Sequence, residues 1–207
     1  YEIRIRRRSG AILEISLTLS RLYDSTGKFL GTVGISKDIT KRKALERKLR
    51  KLALTDPLTG LYNRGTFNTR VREEVEEGRR LHRPLTILLI DLDGFKEYND
   101  QKGHLEGDTA LRQVGLILRK HLAAPRENAF RYGGDEFVCL LKGASVERAL
   151  GVAERIRAEI EVSLGPSITA SLGVNGLSPL QGPREFIRCA DEAMYRAKQA
   201  GGNRSCL

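Results

Sequence analysis

Two short acidic stretches are the places where this sequence could perform chemistry. In one of them, Gly133-Gly134-Asp135-Glu136 lies between a strand-like run and the apolar run that begins at Phe137. Gly-Gly between such runs predicts a tight hairpin turn, and glycines without a Cβ atom let a ligand approach the backbone closely. Adjacent carboxylates repel each other, so this arrangement usually needs a nearby cation. The alternative, an ordinary polar hairpin tip, stays open on this stretch alone.

The other acidic stretch, Asp91-Leu92-Asp93, also follows an apolar run and favours a metal-dependent site. In a ferredoxin-like sheet the end of the first strand lies beside the adjacent hairpin, so Asp91 would meet Asp135 and Glu136. Carboxylates with a backbone carbonyl are the ligands that Mg²⁺ takes when phosphate oxygens complete its coordination. A two-metal site of this kind could activate an attacking hydroxyl and neutralise a leaving pyrophosphate.

Two lysines and the start of a predicted helix are suited to hold phosphates. Gly94-Phe95-Lys96 opens a short helix just downstream of Asp91. The free N–H groups of that helix and the Lys96 ammonium suit phosphate oxygens. Lys198 lies in the last predicted helix and could act in the same way. Its alternative is a solvated lysine, which is the default for a lysine considered alone.

Asn99 and Asp108 are the candidate residues for recognising a base. A carboxylate accepts two hydrogen bonds from the N1–H and N2–H₂ edge of guanine, whereas adenine presents an acceptor at N1. A site built on such bonds rejects the wrong base strongly, because the buried acid is then left unsatisfied. The alternatives are structural: a helix C-cap for Asn99 and a helix N-cap for Asp108.

The elements that must position these residues alternate between helix and strand after residue 55. Apolar periodicity predicts helices over 64–81, 105–122, 146–164 and 184–200, and strands over 85–90, 129–132, 137–141 and 168–174. Because an antiparallel hairpin stands between helix-flanked strands, the order predicts an α+β fold (an α/β sandwich) with a mixed sheet flanked by helices.

The front of the chain has a different character. Residues 1–40 predict an N-terminal antiparallel β fragment of three strands, in which apolar and polar residues alternate from Leu13 onwards. Lys41–Leu54 predicts a linker helix, for which Asp38 or Thr40 could supply the cap. Its leucines at 45, 49 and 52 are spaced as the seam of a parallel coiled coil. The alternative is an amphipathic helix that packs on its own domain.

Charge and composition exclude several functional classes. The formal charge of +10 is concentrated in residues 1–54, which carry a net +9 and leave a net +1 for the rest of the chain. A nucleic-acid-binding domain normally carries its own basic face, so we expect no nucleic-acid partner. No run of 18 apolar residues exists, so we expect no membrane segment. Three cysteines without metal-ligand spacing suit a cytoplasmic protein, and a start at Tyr1 rather than Met suggests a fragment.

Several ordered motifs together resemble the GGDEF domains, the diguanylate cyclases. R-Y-G-G-D-E-F at 131–137 matches the family signature. Further matches are D-P-L-T-G-L-Y-N-R at 56–64, D-L-D-G-F-K at 91–96, N-D at 99–100, G-H at 103–104, G-D at 107–108, S-L-G-V at 171–174 and A-D-E-A-M-Y-R-A-K at 190–198. Together these motifs cover residues 55–204.

The resemblance implies a ferredoxin-like nucleotidyl-cyclase palm and a homodimer that joins two GTP molecules into cyclic di-GMP and two pyrophosphates. It also implies two Mg²⁺ ions, or alternatively Mn²⁺, in each active site. The implied metal ligands are Asp91, the Leu92 carbonyl, Asp135 and Glu136, and the implied catalytic residues are Glu136, Asp135 and Lys96. The implied substrate-binding residues are Asn99, Asp108, Lys96, Lys198, Phe95, Gly133 and Gly134. The alternative is a catalytically weak GGDEF module that binds GTP or acts as a signalling or docking domain.

The N-terminal strands resemble the end of a PAS domain that closes with the D-I-T junction at 38–40. The resemblance therefore implies three parts: a truncated PAS sensor at 1–40, a signalling helix at 41–54 and the cyclase domain at 55–207. Upstream sensor regions of the same protein would then regulate the cyclase.

Two positions depart from the family pattern. The window that aligns with the family's product-inhibition motif, R-x-x-D, reads A-P-R-E at 124–127. That substitution predicts little non-competitive inhibition by cyclic di-GMP, because an alanine cannot supply a guanidinium group. Gly202 stands where the family commonly has an arginine, so a cation at the phosphate end of the site is missing.

Overall fold

A computed structural model describes residues 1–122 and 129–207, which form two compact units, Tyr1–Ala53 and Leu54–Leu207. The window at 124–127 lies outside the described residues. Among the residues that are described, no helix is both long and apolar enough to cross a membrane.

The N-terminal unit contains the predicted three-stranded antiparallel sheet. Its strands are β1 (Glu2–Arg6), β2 (Ile12–Tyr23) and β3 (Phe29–Asp38), paired in the order β1-β2-β3. Along β2 the predicted alternation is only partly seen in burial, because Leu19 is exposed whereas Glu14 is buried. Glu14 tolerates burial because Arg47 donates to its carboxylate at 2.7 Å.

Helix α1 (Thr40–Leu54) follows β3 directly. The carboxylate of Asp38 accepts a hydrogen bond from the backbone N–H of Thr40, as the predicted cap requires. Leu45, Leu49 and Leu52 are each 57–58% exposed, and no residue of the helix is buried. The helix contacts its own sheet through ion pairs such as Arg47–Glu14, whereas its leucine seam does not pack there and is exposed.

The C-terminal unit is a five-stranded mixed sheet flanked by helices, which confirms the predicted fold class. Its elements are α2 (Arg64–Leu81), β4 (Leu85–Asp93), α3 (Phe95–Lys102), α4 (His104–His121), β5 (Ala129–Arg131), β6 (Glu136–Lys142), α5 (Val146–Leu164), β7 (Thr169–Gly176), α6 (Pro183–Gln199) and β8 (Ser205–Cys206). The strand order is β5-β6-β4-β7-β8, antiparallel throughout except for the parallel pair β7/β8. The first four strands give the ferredoxin-like arrangement.

Two apolar layers bury the central strand β4 on both faces. Leu88 and Ile90 face the layer that contains α4 and α5, whereas Ile87 and Leu89 face the layer of α2 and α6. Because side chains alternate along a strand, Asp91 must point to the same side as Ile87 and Leu89. The core thus directs the first acidic residue towards α6.

Candidate active site

The predicted meeting of the two acidic stretches is confirmed by the register of β4 and β6. Asp91 pairs directly with Glu136, and Leu92 donates its backbone N–H to the Asp135 carbonyl at 3.4 Å. Val138, two residues after Glu136, belongs to the same apolar layer as α6, so the Glu136 side chain points to the side that Asp91 faces. Asp91, Leu92, Asp135 and Glu136 therefore meet at one end of the sheet.

Lys198 completes this cluster from α6. Its Nζ lies 2.6 Å from Asp91 Oδ1, so the predicted alternative of a merely solvated lysine is wrong. Gly173 in β7 makes this approach possible, because a Cβ atom there would collide with the Ala190 carbonyl of α6. The small residue lets the helix lie directly on the strand and brings its last turn to the acidic end of β4.

The two paired carboxyls are electrostatically strained. Burial raises the pKa of Asp91; Lys198 opposes this effect, and the charge of Asp135 adds to it. Burial also raises the pKa of Glu136, as do the neighbouring charges of Asp91 and Asp135. Asp191 of α6 contributes to the same repulsion at Glu136. The sequence motif contains Asp191, but nothing in its spacing indicated that it would face the hairpin.

The donor set at this end of the sheet fits a hard divalent cation. Clustered carboxylates with raised pKa values are stabilised by a positive charge, and carboxylate and carbonyl oxygens are preferred by Mg²⁺. Gly133 leaves space for the acid, because a Cβ atom there would collide with Glu136 Oε2. Within the described parts of the chain, no three His, Cys, Asp or Glu side chains are already gathered as a metal site. Lys198 occupies the position of a counter-cation beside Asp91.

Arg131, which no sequence pattern predicted as a functional residue, fixes the tip of the hairpin. Arg131 donates to the Gly134 carbonyl through Nε at 3.1 Å and Nη2 at 2.6 Å. Its Nη1 lies 3.3 Å from both carboxylate oxygens of Asp56, which also accepts from Thr59. Burial raises the pKa of Asp56, but the bonds from Thr59 and Arg131 outweigh it and leave the pKa below its usual value. Asp56 and Arg131 lie within the family motifs at 56–64 and 131–137, and these motifs are the sequence feature that could have indicated a role for them.

The predicted base-recognition residues lie on α3 and α4. Asn99 lies inside α3, and Gly103 rather than Asn99 is the C-cap of that helix. Asp108 lies in the second turn of α4, whose N-cap is also Gly103. Both capping alternatives are therefore wrong. Gly107 leaves room for Asn99, since a Cβ atom there would overlap the Asn99 side chain.

Asn99 presents a free acceptor in this region. Its Oδ1 is buried and has no hydrogen-bond partner, which is costly unless a ligand supplies a donor. The Asp108 side chain is 44% exposed and lies 3.8 Å from Arg112. Lys96 is exposed in the first turn of α3, whereas Phe95 packs against the core. Among the described residues, no hydrogen bond or ion pair joins Asn99, Asp108 or Lys96 to the side chains of Asp91, Asp135 or Glu136.

Comparison with known proteins decides the family. A family model described as "Diguanylate cyclase, GGDEF domain" matches residues 53–204. The chain belongs to the GGDEF-domain diguanylate cyclases. The R-Y-G-G-D-E-F hairpin of this GGDEF domain is the β5–β6 hairpin, and its D-L-D segment is the end of β4.

Named relatives and solved structures support the same family. Diguanylate cyclase DgcP of Pseudomonas aeruginosa is 40% identical over an alignment of 163 residues that covers 75% of this chain and 24% of that protein. A diguanylate cyclase of Vibrio cholerae is 32% identical over an alignment of 216 residues that covers 100% of this chain and 66% of that protein. The crystal structure of the coiled coil and GGDEF domain of DgcB from Caulobacter crescentus, in complex with c-di-GMP, has a TM-score of 0.75. It is 28% identical and covers 81% of this chain and 92% of that chain.

The departure at position 202 has a structural counterpart in this GGDEF domain. Gly202 is buried with φ of 72°, a backbone conformation that favours glycine. A Cβ atom there would lie 3.1–3.2 Å from the three carboxyl atoms of Asp93. Position 202 is therefore packed against the end of β4, where this backbone leaves little room for a longer side chain.

Proposed function

We propose that the GGDEF unit condenses two GTP molecules into cyclic di-GMP across a two-fold dimer. In each half, the 3′-oxygen of one GTP forms a bond to the α-phosphorus of the other. The bond from that phosphorus to the β-phosphate oxygen breaks, and pyrophosphate leaves. The two steps close the ring and release two pyrophosphates. The observation that carries this proposal is the direct pairing of Asp91 with Glu136 on one face of the sheet.

Glu136 is the residue we assign to the proton of the attacking hydroxyl. A general base works best when its pKa is near the working pH, and burial together with neighbouring carboxylates raises the pKa of Glu136 in that direction. Asp135 lies beside it on the hairpin tip that Arg131 holds through the Gly134 carbonyl. The bonds to Arg131 reduce the motion of the tip, so the two acids keep their direction.

The carboxylate cluster would hold two Mg²⁺ ions, or alternatively Mn²⁺, through Asp91, the Leu92 carbonyl, Asp135 and Glu136. Bound divalent cations would supply positive charge to the phosphate oxygens and to the leaving pyrophosphate. In this assignment Lys198 leaves Asp91 for a phosphate oxygen when the nucleotide arrives. A lysine suits that exchange because its ammonium is a mobile point charge on a flexible stem.

The nucleotide would extend from the carboxylate cluster to α3 and α4. Lys96, Lys198 and the backbone at Gly133, Gly134 and Phe95 would contact its phosphates. Asn99 Oδ1 would accept a hydrogen bond from the guanine N2–H₂ group, which removes the cost of its buried, unpaired state. Asp108 would accept from the same edge, giving the preference for guanine over adenine.

Assembly and regulation would come from the N-terminal unit. The exposed leucine seam of α1 offers a parallel coiled-coil contact that raises the local concentration of a second cyclase unit. The sheet β1–β3 would be the end of a PAS sensor, and sensor regions upstream would act through α1. Three free cysteines, of which Cys139 is fully buried, suit a cytoplasmic setting.

The test is to incubate the purified chain with GTP and Mg²⁺ and to separate the nucleotides by chromatography. We expect cyclic di-GMP and pyrophosphate from the wild-type chain and neither from Asp135→Ala, whose circular dichroism spectrum should be unchanged. Binding of GTP without product would favour the alternative of a signalling or docking module. Near wild-type turnover by Asp135→Ala would show that the metal assignment is wrong.

A further inference from the structure

A second carboxylate at the end of β4 has no role in the proposed chemistry. Asp93 lies two residues after Asp91 and so points to the same side of the sheet. Its Oδ1 accepts from Ser171 Oγ at 2.7 Å, and its Oδ2 accepts from Thr169 Oγ1 at 2.9 Å. The backbone N–H of Asn203 donates to Oδ2 at 3.0 Å. Three hydrogen-bond donors therefore hold the Asp93 carboxylate in place, and through it they connect β4 to β7 and to the turn at Asn203.

The Asn203 N–H belongs to the turn that follows α6. In this turn Gly201 donates its N–H to the Lys198 carbonyl at 3.1 Å, and Gly202 donates to the Ala197 carbonyl at 3.0 Å. The turn is therefore bonded directly to the helical residue whose ammonium reaches Asp91. The backbone of Gly201, Gly202 and Asn203 therefore links Lys198 on the helix to Asp93 on the strand.

The far side of the same turn is fixed to α5. The Asn203 side chain accepts from Arg157 Nη1 at 2.8 Å and donates to Glu161 Oε1 at 2.8 Å. Arg157 also pairs with Glu161, so these two residues of α5 together hold the Asn203 side chain. Within the described residues, the bond to Asp93 is the one side-chain hydrogen bond between this turn and the strand that carries Asp91.

We propose that Asp93 is a positioning residue that sets Lys198 opposite Asp91 by holding the turn after α6. Three of the roughly four lone-pair sites of its carboxylate are already used, so Asp93 acts as an anchor and not as a metal ligand. Gly202 contributes to this arrangement, because a residue without a Cβ atom lets the turn lie close to the Asp93 carboxylate. The role of Lys198 in turnover rests on the proposed function, whereas its placement by Asp93 does not.

The kinetic test is a double-mutant cycle between Asp93→Asn and Lys198→Ala. Asp93→Asn replaces an acceptor oxygen with a donor and should lower kcat/KM about tenfold, the size expected for a charge-assisted hydrogen bond. If Asp93 acts through Lys198, that loss should shrink to less than about twofold in the Lys198→Ala background. It should persist in the Asn99→Ala background, which is the matched control. A full tenfold loss on top of Lys198→Ala would overturn the proposal.

A second measurement does not depend on catalysis. The rate at which an amine-acylating reagent labels Lys198, relative to the exposed Lys96 of the same chain, is read by peptide mass spectrometry. Asp93→Asn and the isosteric Thr169→Val should each raise this ratio, the former by about threefold or more, because the turn opens more often. An unchanged ratio in a folded Asp93→Asn chain would overturn the proposal. A wild-type chain that makes no cyclic di-GMP would refute the proposed function and leave this ratio to decide the role of Asp93.

Discussion

Replacing Glu136 with glutamine should stabilise the fold while it abolishes turnover. The pKa values of Asp91 and Glu136 both lie above their usual values, because burial and the charges of neighbouring carboxylates disfavour the ionised forms. Ionising either group therefore costs more in the folded chain than in the unfolded one. For Glu136 this destabilisation is absent well below the ordinary glutamate pKa of 4.5 and is complete once the pH is well above the raised pKa. Glu136→Gln removes one of the repelling charges and keeps the shape of the side chain.

The size of the gain follows from the pairing. Asp91 and Glu136 are direct cross-strand neighbours, and like charges in that position destabilise a sheet by ~0.2–1 kcal/mol. For a domain of this size, that energy corresponds to a rise in Tm of about 0.4–4 °C. The Lys198 ammonium beside Asp91 already offsets part of the repulsion, so the gain should fall in the lower half of this range.

The assay is thermal unfolding by circular dichroism at pH 7 and below pH 4.5, with and without Mg²⁺. At pH 7 without metal, Glu136→Gln should melt above wild type, and the difference should disappear in acid. Added Mg²⁺ should raise the Tm of wild type more than that of the variant, because binding to the folded state adds stability. The control is Glu73→Gln on the exposed surface of α2, which should leave Tm unchanged. A lower Tm for Glu136→Gln at pH 7, or an equal gain in acid, would refute the electrostatic reasoning.

Three further predictions concern the base, the assembly and the departure at position 202. Asp108→Asn should weaken GTP binding measured by calorimetry by about 1–3 kcal/mol with little change in Tm, and unchanged binding would leave Asp108 without a role in base recognition. Leu49→Glu should lower both the mass measured by light scattering and the activity per subunit. Lys48→Glu on the same helix is the control, and it should leave the mass and the activity nearly unchanged. Gly202→Arg should lower the free energy of unfolding in urea by about 1–3 kcal/mol, because φ is 72° and Asp93 is in contact. Gly182→Arg, at an ordinary φ of −83° with open space around it, is the control that should cost little.

Much of the fold could be predicted because local pattern and burial agree. The apolar run from Leu85 is buried on both faces, as its uniform composition requires, and the observed bounds of α2 and α5 are the predicted ones. The junction of the acidic stretches was also predictable, since a ferredoxin-like sheet places the first strand beside the hairpin. What failed was the assignment of Asn99 and Asp108 as possible caps, because the turn between α3 and α4 is made by Gly103 alone.

The remaining features depend on distances between elements far apart in the chain. The pairing of Lys198 with Asp91 spans more than a hundred residues and depends on how closely α6 lies on β7, which Gly173 decides. The anchor role of Asp93 depends on which hydroxyls of β7 face it, and a register cannot be read from composition. The sequence motif shows that such residues are present and does not show which partner each one has.

The central claim is that the end of β4 and the β5–β6 hairpin form one centre that joins two GTP molecules. Its most direct test is the stoichiometry of the products formed from GTP and Mg²⁺ by the wild-type chain and by Asp91→Asn. We predict two pyrophosphates for each cyclic di-GMP from wild type, no product with ATP, and loss of both products in a folded Asp91→Asn chain. Pyrophosphate without cyclic di-GMP, or normal turnover by Asp91→Asn, would contradict the account.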